Sequence, residues 1–234
     1  MESVHSHSTV VALVVAGGSG QRMGAPIAKQ FIEIEGKPLL MHTLEKLANT
    51  DCFSQLVLVL ASKDIEYWQS LCTKYQFTLA HKIVEGGISR FCSVQNGLYA
   101  LHSLDSESIV AIHDGVRPFI NKDFIQKGIA TCIEYETAIP ILKVNESLRI
   151  CNESAQWQSL NREKVHSVQT PQYFKYAHIL QAYQIALHSN FTDDASVYEN
   201  TGKPLHFFDG ILQNTKITQA LDLEYAKFLF SKGY

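Results

Sequence analysis

Six consecutive apolar residues, Val10 to Val15, give way abruptly to Ala16-Gly17-Gly18-Ser19-Gly20. A short valine-rich run closed by glycines predicts a strand buried on both faces that opens into a loop at its carboxyl end. Such a strand needs a sheet with helices on either side, which constrains the fold more than any other feature of the chain. The loop also carries chemistry. Glycines let the backbone bend sharply and bring its N–H groups against a ligand, and two cations, Arg22 and Lys29, follow. Anionic oxygens suit such a loop, phosphate first among them. Neither well-known glycine loop fits. The P-loop spacing puts Arg22 or Met23 where its second glycine belongs, and the dinucleotide fingerprint finds Met23 at its third glycine, with Gly24 one residue late. An ordinary glycine-rich βα turn is the bland alternative.

Downstream, buried runs alternate with amphipathic stretches. Leu56–Ala61 and Ile109–His113 read as further strands, and Phe77–Val84 as another, ending at Glu85-Gly86-Gly87. Helical spacing occupies 38–47, 65–75, 91–104, 177–187 and 221–230, with a strand near 205–208. This alternation predicts an α/β, Rossmann-like fold with a mostly parallel sheet flanked by helices. Ligands of such sheets bind beyond the carboxyl ends of the strands, so the loops 16–29, 85–93 and 113–118 should converge. Between about 138 and 169, alternating stretches and the polar turn 151–156 predict a protruding β-arm, an element for contact with a second subunit. Residues 1–9 read as a disordered terminus and 10–234 as one domain.

The 234 residues are 46% hydrophobic and 18% charged, ordinary for a globular chain with a substantial core. A net charge of −3 argues against a general nucleic-acid or membrane-surface binder. Five scattered cysteines without a C-x-x-C suggest a reducing compartment, with neither disulfides nor a zinc site, and Cys92 reads as a packed helix residue. His5 and His7 lack a third ligand nearby. The first nine residues lack the pattern of a signal peptide, and no apolar run approaches membrane-spanning length. A cytoplasmic location, with no membrane partner, is expected.

Six segments, AGGSGQRMG…KQ, EGG-x-SR-xx-SV-xx-GL, HDGVRP, N-R-x₇-TPQ-x-F, TDDAS and N-x-KIT, occur in order between about residues 10 and 231. Together they resemble the 2-C-methyl-D-erythritol 4-phosphate cytidylyltransferase family of the non-mevalonate isoprenoid pathway. The resemblance implies a nucleotidyltransferase that joins CTP to a sugar-alcohol phosphate, releases pyrophosphate, uses Mg2+ and works as a homodimer through the arm. The relative acting on ribitol 5-phosphate shares several segments and is the alternative acceptor reading. A non-catalytic nucleotide-binding regulatory domain is an alternative from another class, opposed by retention of Arg22, Lys29 and Asp114.

By the same resemblance, Arg22 and Lys29 hold the triphosphate. Ala16, Gly17, Gly18 and Gly20 lie against the nucleotide, while Gly87, the Ile88 backbone and Ser93 read the cytosine ring. Asp114 stands near magnesium and the sugar hydroxyls. Arg117, Arg162, Thr170 and Lys216 place the acceptor, with Arg162 and Lys216 on its phosphate. Ser147, where threonine is usual, and Arg162 would serve the neighbouring subunit. Three departures from the family pattern are Ala28 for a proline, Gly115-Val116 for Ala-Ala and Asn161 for an aspartate. Arg90 reads equally as a substrate-site cation or a helix-surface charge. Asp193 and Asp194 read as a helix N-cap, and Asp114 could be no more than a turn former before Gly115.

Overall fold

The apolar run forms strand β1 (Val10–Val15), whose residues 11–14 are fully buried. The structure, a computed structural model, describes residues 9–17, 28–186 and 188–234. The expectations for the terminal residues 1–8, and those for Gly18, Gly20 and Arg22, lie outside the described residues. After a small ribbon, β2 (Glu33–Ile34) and β3 (Lys37–Pro38), come helix α1 (Leu39–Ala48), β4 (Gln55–Leu60), α2 (Ser62–Lys74), β5 (Lys82–Glu85), α3 (Arg90–Tyr99) and β6 (Ile109–Asp114). The second half contains α4 (Lys122–Tyr135), β7 (Thr137–Lys143), β8 (Leu148–Cys151), β9 (Trp157–Leu160), β10 (His166–Val168), β11 (Gln172–Lys175), α5 (Tyr176–Ile185), α6 (Asp194–Glu199), β12 (Phe207–Asp209) and α7 (Ala220–Ser231).

The main sheet runs β10-β7-β11-β6-β1-β4-β5, with β12 alongside β7. From β6 to β5 the strands are parallel, whereas β11 is antiparallel to both β6 and β7. Register decides where the site forms. Val15 pairs with Asp114 on one side and Val59 on the other, and Leu60 pairs with Glu85. Three strand ends therefore release their loops side by side. One sheet face packs against α1, α2 and α4 through residues such as Leu40, Leu44, Trp68 and Ile125. The other packs against α3, α5 and α6 through Val94, Leu98, Ile179 and Tyr198. A smaller cluster of Ile34, Val116, Ile217, Ala226 and Leu229 fastens α7 beside the loop after β6.

Several boundaries differ from expectation. The strand expected over 77–84 begins only at Lys82, because Phe77 and His81 leave the sheet to pack edgewise on Trp68. The helix expected to reach 104 ends at Tyr99, where turns to Leu101 and Leu104 take over. Helix α4 and strand β11 had no counterpart in the sequence reading. Gly128 of α4 lies where a Cβ would come 2.3 Å from the Tyr173 ring, so the helix meets β11 closely. The arm is narrower than 138–169: β7 and β10 belong to the main sheet, and the separate hairpin is β8–β9 alone. That hairpin exposes Ile150, Trp157 and Leu160.

Candidate active site

Beyond the ends of β1, β5 and β6 lies a cavity of about 320 Å³. Ala16, Gly17, Lys29, Gln30, Gly87, Ile88, Ser93, Asp114 and Lys216 all contribute to its wall, so the loops converge as the sheet logic requires. Lys29 is placed by its neighbour. The buried Gln30 donates through Nε2 to the Ala16 carbonyl at 2.7 Å, tying the segment that carries the cation to the end of β1. Ala28, where the family pattern has proline, has φ −62, within the range a proline ring imposes.

On the opposite wall, Ser93 shapes the loop 86–89. Its hydroxyl accepts from the Gly87 N–H at 3.1 Å and donates to the Ser89 carbonyl at 2.8 Å. Ser89 caps α3 by accepting from the Cys92 N–H. Gly87 has no room for a side chain, since a Cβ there would sit 2.3 Å from that of Cys92. Ile88 lines the cavity mouth and is fully exposed. Gly115 fits its space less tightly: a Cβ would meet the Leu40 side chain at 2.9 Å and Ala16 at 3.0 Å.

Asp114 is the electrostatic centre. Its Oδ2 lies 3.0 Å from Arg117 Nε and 3.0 Å from Lys216 Nζ, and its Oδ1 is 3.8 Å from Arg90 Nε. Burial alone would raise its pKa, but Lys216, Arg90 and Arg117 outweigh it and hold the carboxyl well below the usual carboxylate range. The turn-former reading is thus incomplete: Asp114 gathers three cations.

Arg90 is more than a helix-surface charge. It makes a two-pronged bond to the fully buried Asp194, at 2.8 and 2.6 Å, and Tyr183 donates its hydroxyl to the same carboxylate at 2.6 Å. Burial disfavours the guanidinium charge, yet Asp194 and Asp114 raise its pKa beyond the ordinary value. The expected N-cap resolves into two roles. Asp193 caps α6 in a capping box with Ser196, worth about 1 kcal/mol, while Asp194 is the ion-pair partner.

A second cavity of about 350 Å³ adjoins the first, sharing Arg90, Asp114 and Lys216 and adding Arg117, Gln169, Thr170, Gln172, Thr192 and Asp193. Its wall is built from segments far apart in sequence. Gln172 donates to Asp193 at 2.9 Å and accepts from the Ala195 N–H at 2.8 Å. Asn214 donates to the Thr170 carbonyl at 2.7 Å, and its own carbonyl accepts from Arg117 and Gln169. Gln169 and Asn214 therefore tie Thr170 and Arg117 together, a role the sequence did not show. Gln172 was legible only as a member of the motif TPQ, and the aspartates only as a helix N-cap within TDDAS. Behind this wall, burial lowers the His113 pKa to about 4, keeping the ring neutral.

Two expected residues are not brought to these cavities. Ser147 and Arg162 are exposed at the base of the hairpin, where Arg162 donates to the Asn145 carbonyl at 2.7 Å. Asn161, in place of aspartate, caps the single turn that carries Arg162 by accepting from the Glu163 N–H.

A Rossmann-like sheet whose strand-end crevice has two adjoining compartments, with shared cations at their junction, defines an α/β protein built to take anionic ligands. The chain matches the 2-C-methyl-D-erythritol 4-phosphate cytidylyltransferase family over residues 10–232, and it belongs to that family. It is a nucleotidyltransferase. The enzyme of that name from Bacteroides fragilis is 40% identical over 218 residues, covering 93% of this chain and 98% of the relative. Its Bacteroides thetaiotaomicron counterpart is 38% identical over 217 residues, covering 93% and 97% respectively. The crystal structure of 4-diphosphocytidyl-2C-methyl-D-erythritol synthase from Anaerococcus prevotii superposes with a TM-score of 0.79 at 27% identity, covering 96% of this chain and 99% of that one.

Proposed function

We propose that the protein joins CTP and 2-C-methyl-D-erythritol 4-phosphate to give 4-diphosphocytidyl-2-C-methyl-D-erythritol and pyrophosphate, and that the two cavities divide the substrates. The observation that carries this reading is the junction: Arg90, Asp114 and Lys216 line both compartments. CTP occupies the first, with its cytosine against Gly87, Ile88 and Ser93 and its triphosphate near Ala16, Gly17 and Lys29. Gly18, Gly20 and Arg22 belong to this nucleotide side by the family pattern. The acceptor occupies the second, its phosphate drawn to Lys216 and Arg117.

The chemistry asks little of a general base. A phosphomonoester is largely dianionic at neutral pH, its second pKa being about 6. One of its oxygens forms a bond to the α-phosphorus of CTP, the bond from that phosphorus to the bridging oxygen breaks, and pyrophosphate leaves with the electron pair. The barrier lies in bringing two polyanions together and in charge development at the α-phosphate, which positioned cations counter. Lys29 and Arg22 are assigned to that charge. Lys216 meets both substrates.

Among the described residues, no group of three or more His, Cys, Asp or Glu side chains is placed to hold a metal ion. Asp114 would hold the magnesium ion that the family pattern implies through Oδ1, which faces Arg90 at 3.8 Å, since Oδ2 is taken by Arg117 and Lys216. Bound there, the ion would supply further neutralisation of phosphate charge. Ser147 and Arg162, outside their own chain's cavities, are assigned to the acceptor site of a partner subunit, reached through the β8–β9 hairpin in a homodimer. No helix among the described residues is long and apolar enough to cross a membrane, and a cytoplasmic location fits the proposed substrates.

Isotope tracing tests the bond-making step. Acceptor labelled with ¹⁸O in its phosphate should deliver one label to the bridge of the product's diphosphate and none to pyrophosphate. Label in the pyrophosphate would contradict the assignment.

A further inference from the structure

His113 is the penultimate residue of β6 and is wholly buried. Its Nε2 lies 3.0 Å from the Arg117 carbonyl, and its Nδ1 lies 3.0 Å from Thr170 Oγ1. A carbonyl only accepts, so Nε2 carries the ring proton, and Nδ1, which faces a hydroxyl and no carboxylate in a wholly buried site, presents a lone pair. The bond to Thr170 must then run from the hydroxyl to the ring. Thr170 Oγ1 also accepts from the Asp114 backbone N–H at 3.1 Å.

A hydroxyl has one hydrogen and two lone pairs. The hydrogen of Thr170 is committed to His113 and one lone pair to Asp114, so Thr170, which lines the second cavity, has one lone pair left to offer a molecule there. A dianionic phosphate has no proton to offer it, whereas a polyol hydroxyl does. We propose that His113 is a positioning, specificity-determining residue: it fixes Thr170 as an acceptor-only partner that reads one hydroxyl of the acceptor polyol rather than its phosphate. This rests on the substrate division above, which assigns the phosphate to Lys216 and Arg117. The bond from His113 to the Arg117 carbonyl adds a second function, since it pins the turn in which the Arg117 N–H donates to the Asp114 carbonyl.

The test compares kcat/KM for the acceptor with analogues that each lack one hydroxyl. Wild type should lose ~10-fold or more with one particular analogue. Thr170→Val should be impaired with the parent acceptor yet treat parent and that analogue within about 2-fold, by the same reasoning. His113→Leu should show the same levelling with KM for CTP close to wild type. His113→Gln, which can donate to the Arg117 carbonyl and accept from Thr170, should retain most of the discrimination. A merely structural role would lower activity without levelling a single analogue. Discrimination as strong in Thr170→Val as in wild type, against every analogue, overturns the proposal. Should His113→Leu not fold, Thr170→Val and His113→Gln still decide. Absence of wild-type turnover with the parent acceptor would instead refute the proposed function.

Discussion

Lys216 Nζ lies 3.0 Å from Asp114 Oδ2, so a cation assigned to substrate phosphate is held by a carboxylate of the site itself. The pairing keeps Lys216 at the junction before substrate arrives, with Arg117 on the same oxygen. An arriving phosphate competes with Asp114 for Lys216 instead of having to order a free side chain. Asp114→Asn leaves Arg90, Arg117 and Lys216 without their shared counter-charge. Breaking a buried ion pair from one side costs about 3–5 kcal/mol; with Lys216 partly exposed, the lower end is expected. Urea unfolding should show the loss, and an unchanged midpoint would contradict the account of Asp114 as the organiser of these cations.

Lys29 lines the first cavity, proposed for the nucleotide, on a segment fixed by Gln30. Lys29→Ala should lower kcat by ~100-fold or more, as for loss of one preorganised charge-stabilising group. Near-normal turnover would remove Lys29 from the chemistry.

Arg162 is exposed and lines neither cavity of its own chain. If it completes a partner's site, Arg162→Ala and Lys29→Ala homodimers should both be weak. Mixed dimers of the two should then contain one site free of both substitutions and recover measurable activity. No recovery in verified mixed dimers would place Arg162 in its own subunit's site or outside catalysis.

Asp194 is fully buried against Arg90 and Tyr183. Asp194→Asn leaves the guanidinium without its two-pronged partner and should destabilise the fold by about 3 kcal/mol. Denaturant titration measures this. Loss of acceptor affinity without loss of stability would show that the pair serves substrate binding instead.

Burial holds the His113 pKa at about 4, against an ordinary 6.5. Between those values the unfolded chain binds a proton that the folded ring refuses. This contribution is therefore complete above pH 6.5 and lost as pH falls toward 4, by on the order of 3 kcal/mol at most. His42, whose pKa burial also lowers, acts in the same direction. His113→Gln should flatten the dependence of stability on pH across this window. Equal slopes in variant and wild type would contradict a neutral buried ring.

The lining of the first cavity was legible in part because it depends on local patterns, while Gly18, Gly20 and Arg22 lie outside the described residues. An apolar run stopped by glycines fixes the end of β1, and the register Val15 to Asp114 follows from parallel pairing. The second cavity was less legible because its wall is assembled across the chain. Thr170 meets His113 and Asn214, and Gln172 meets Asp193, pairs separated by tens of residues. Asp194 looks like a cap beside Asp193 until the fold brings Arg90 to it. Helix α4 was not read from the sequence at all; its Gly128 provides the close approach of Tyr173. The arm was overextended because β7 alternates like a hairpin strand, although its first four residues are buried in the main sheet.

The most direct measurement is pyrophosphate release from CTP with 2-C-methyl-D-erythritol 4-phosphate and ribitol 5-phosphate in competition. The account predicts release driven by the methylerythritol phosphate, with little suppression by the ribitol compound. Release with ribitol 5-phosphate alone, or with neither acceptor, would contradict it.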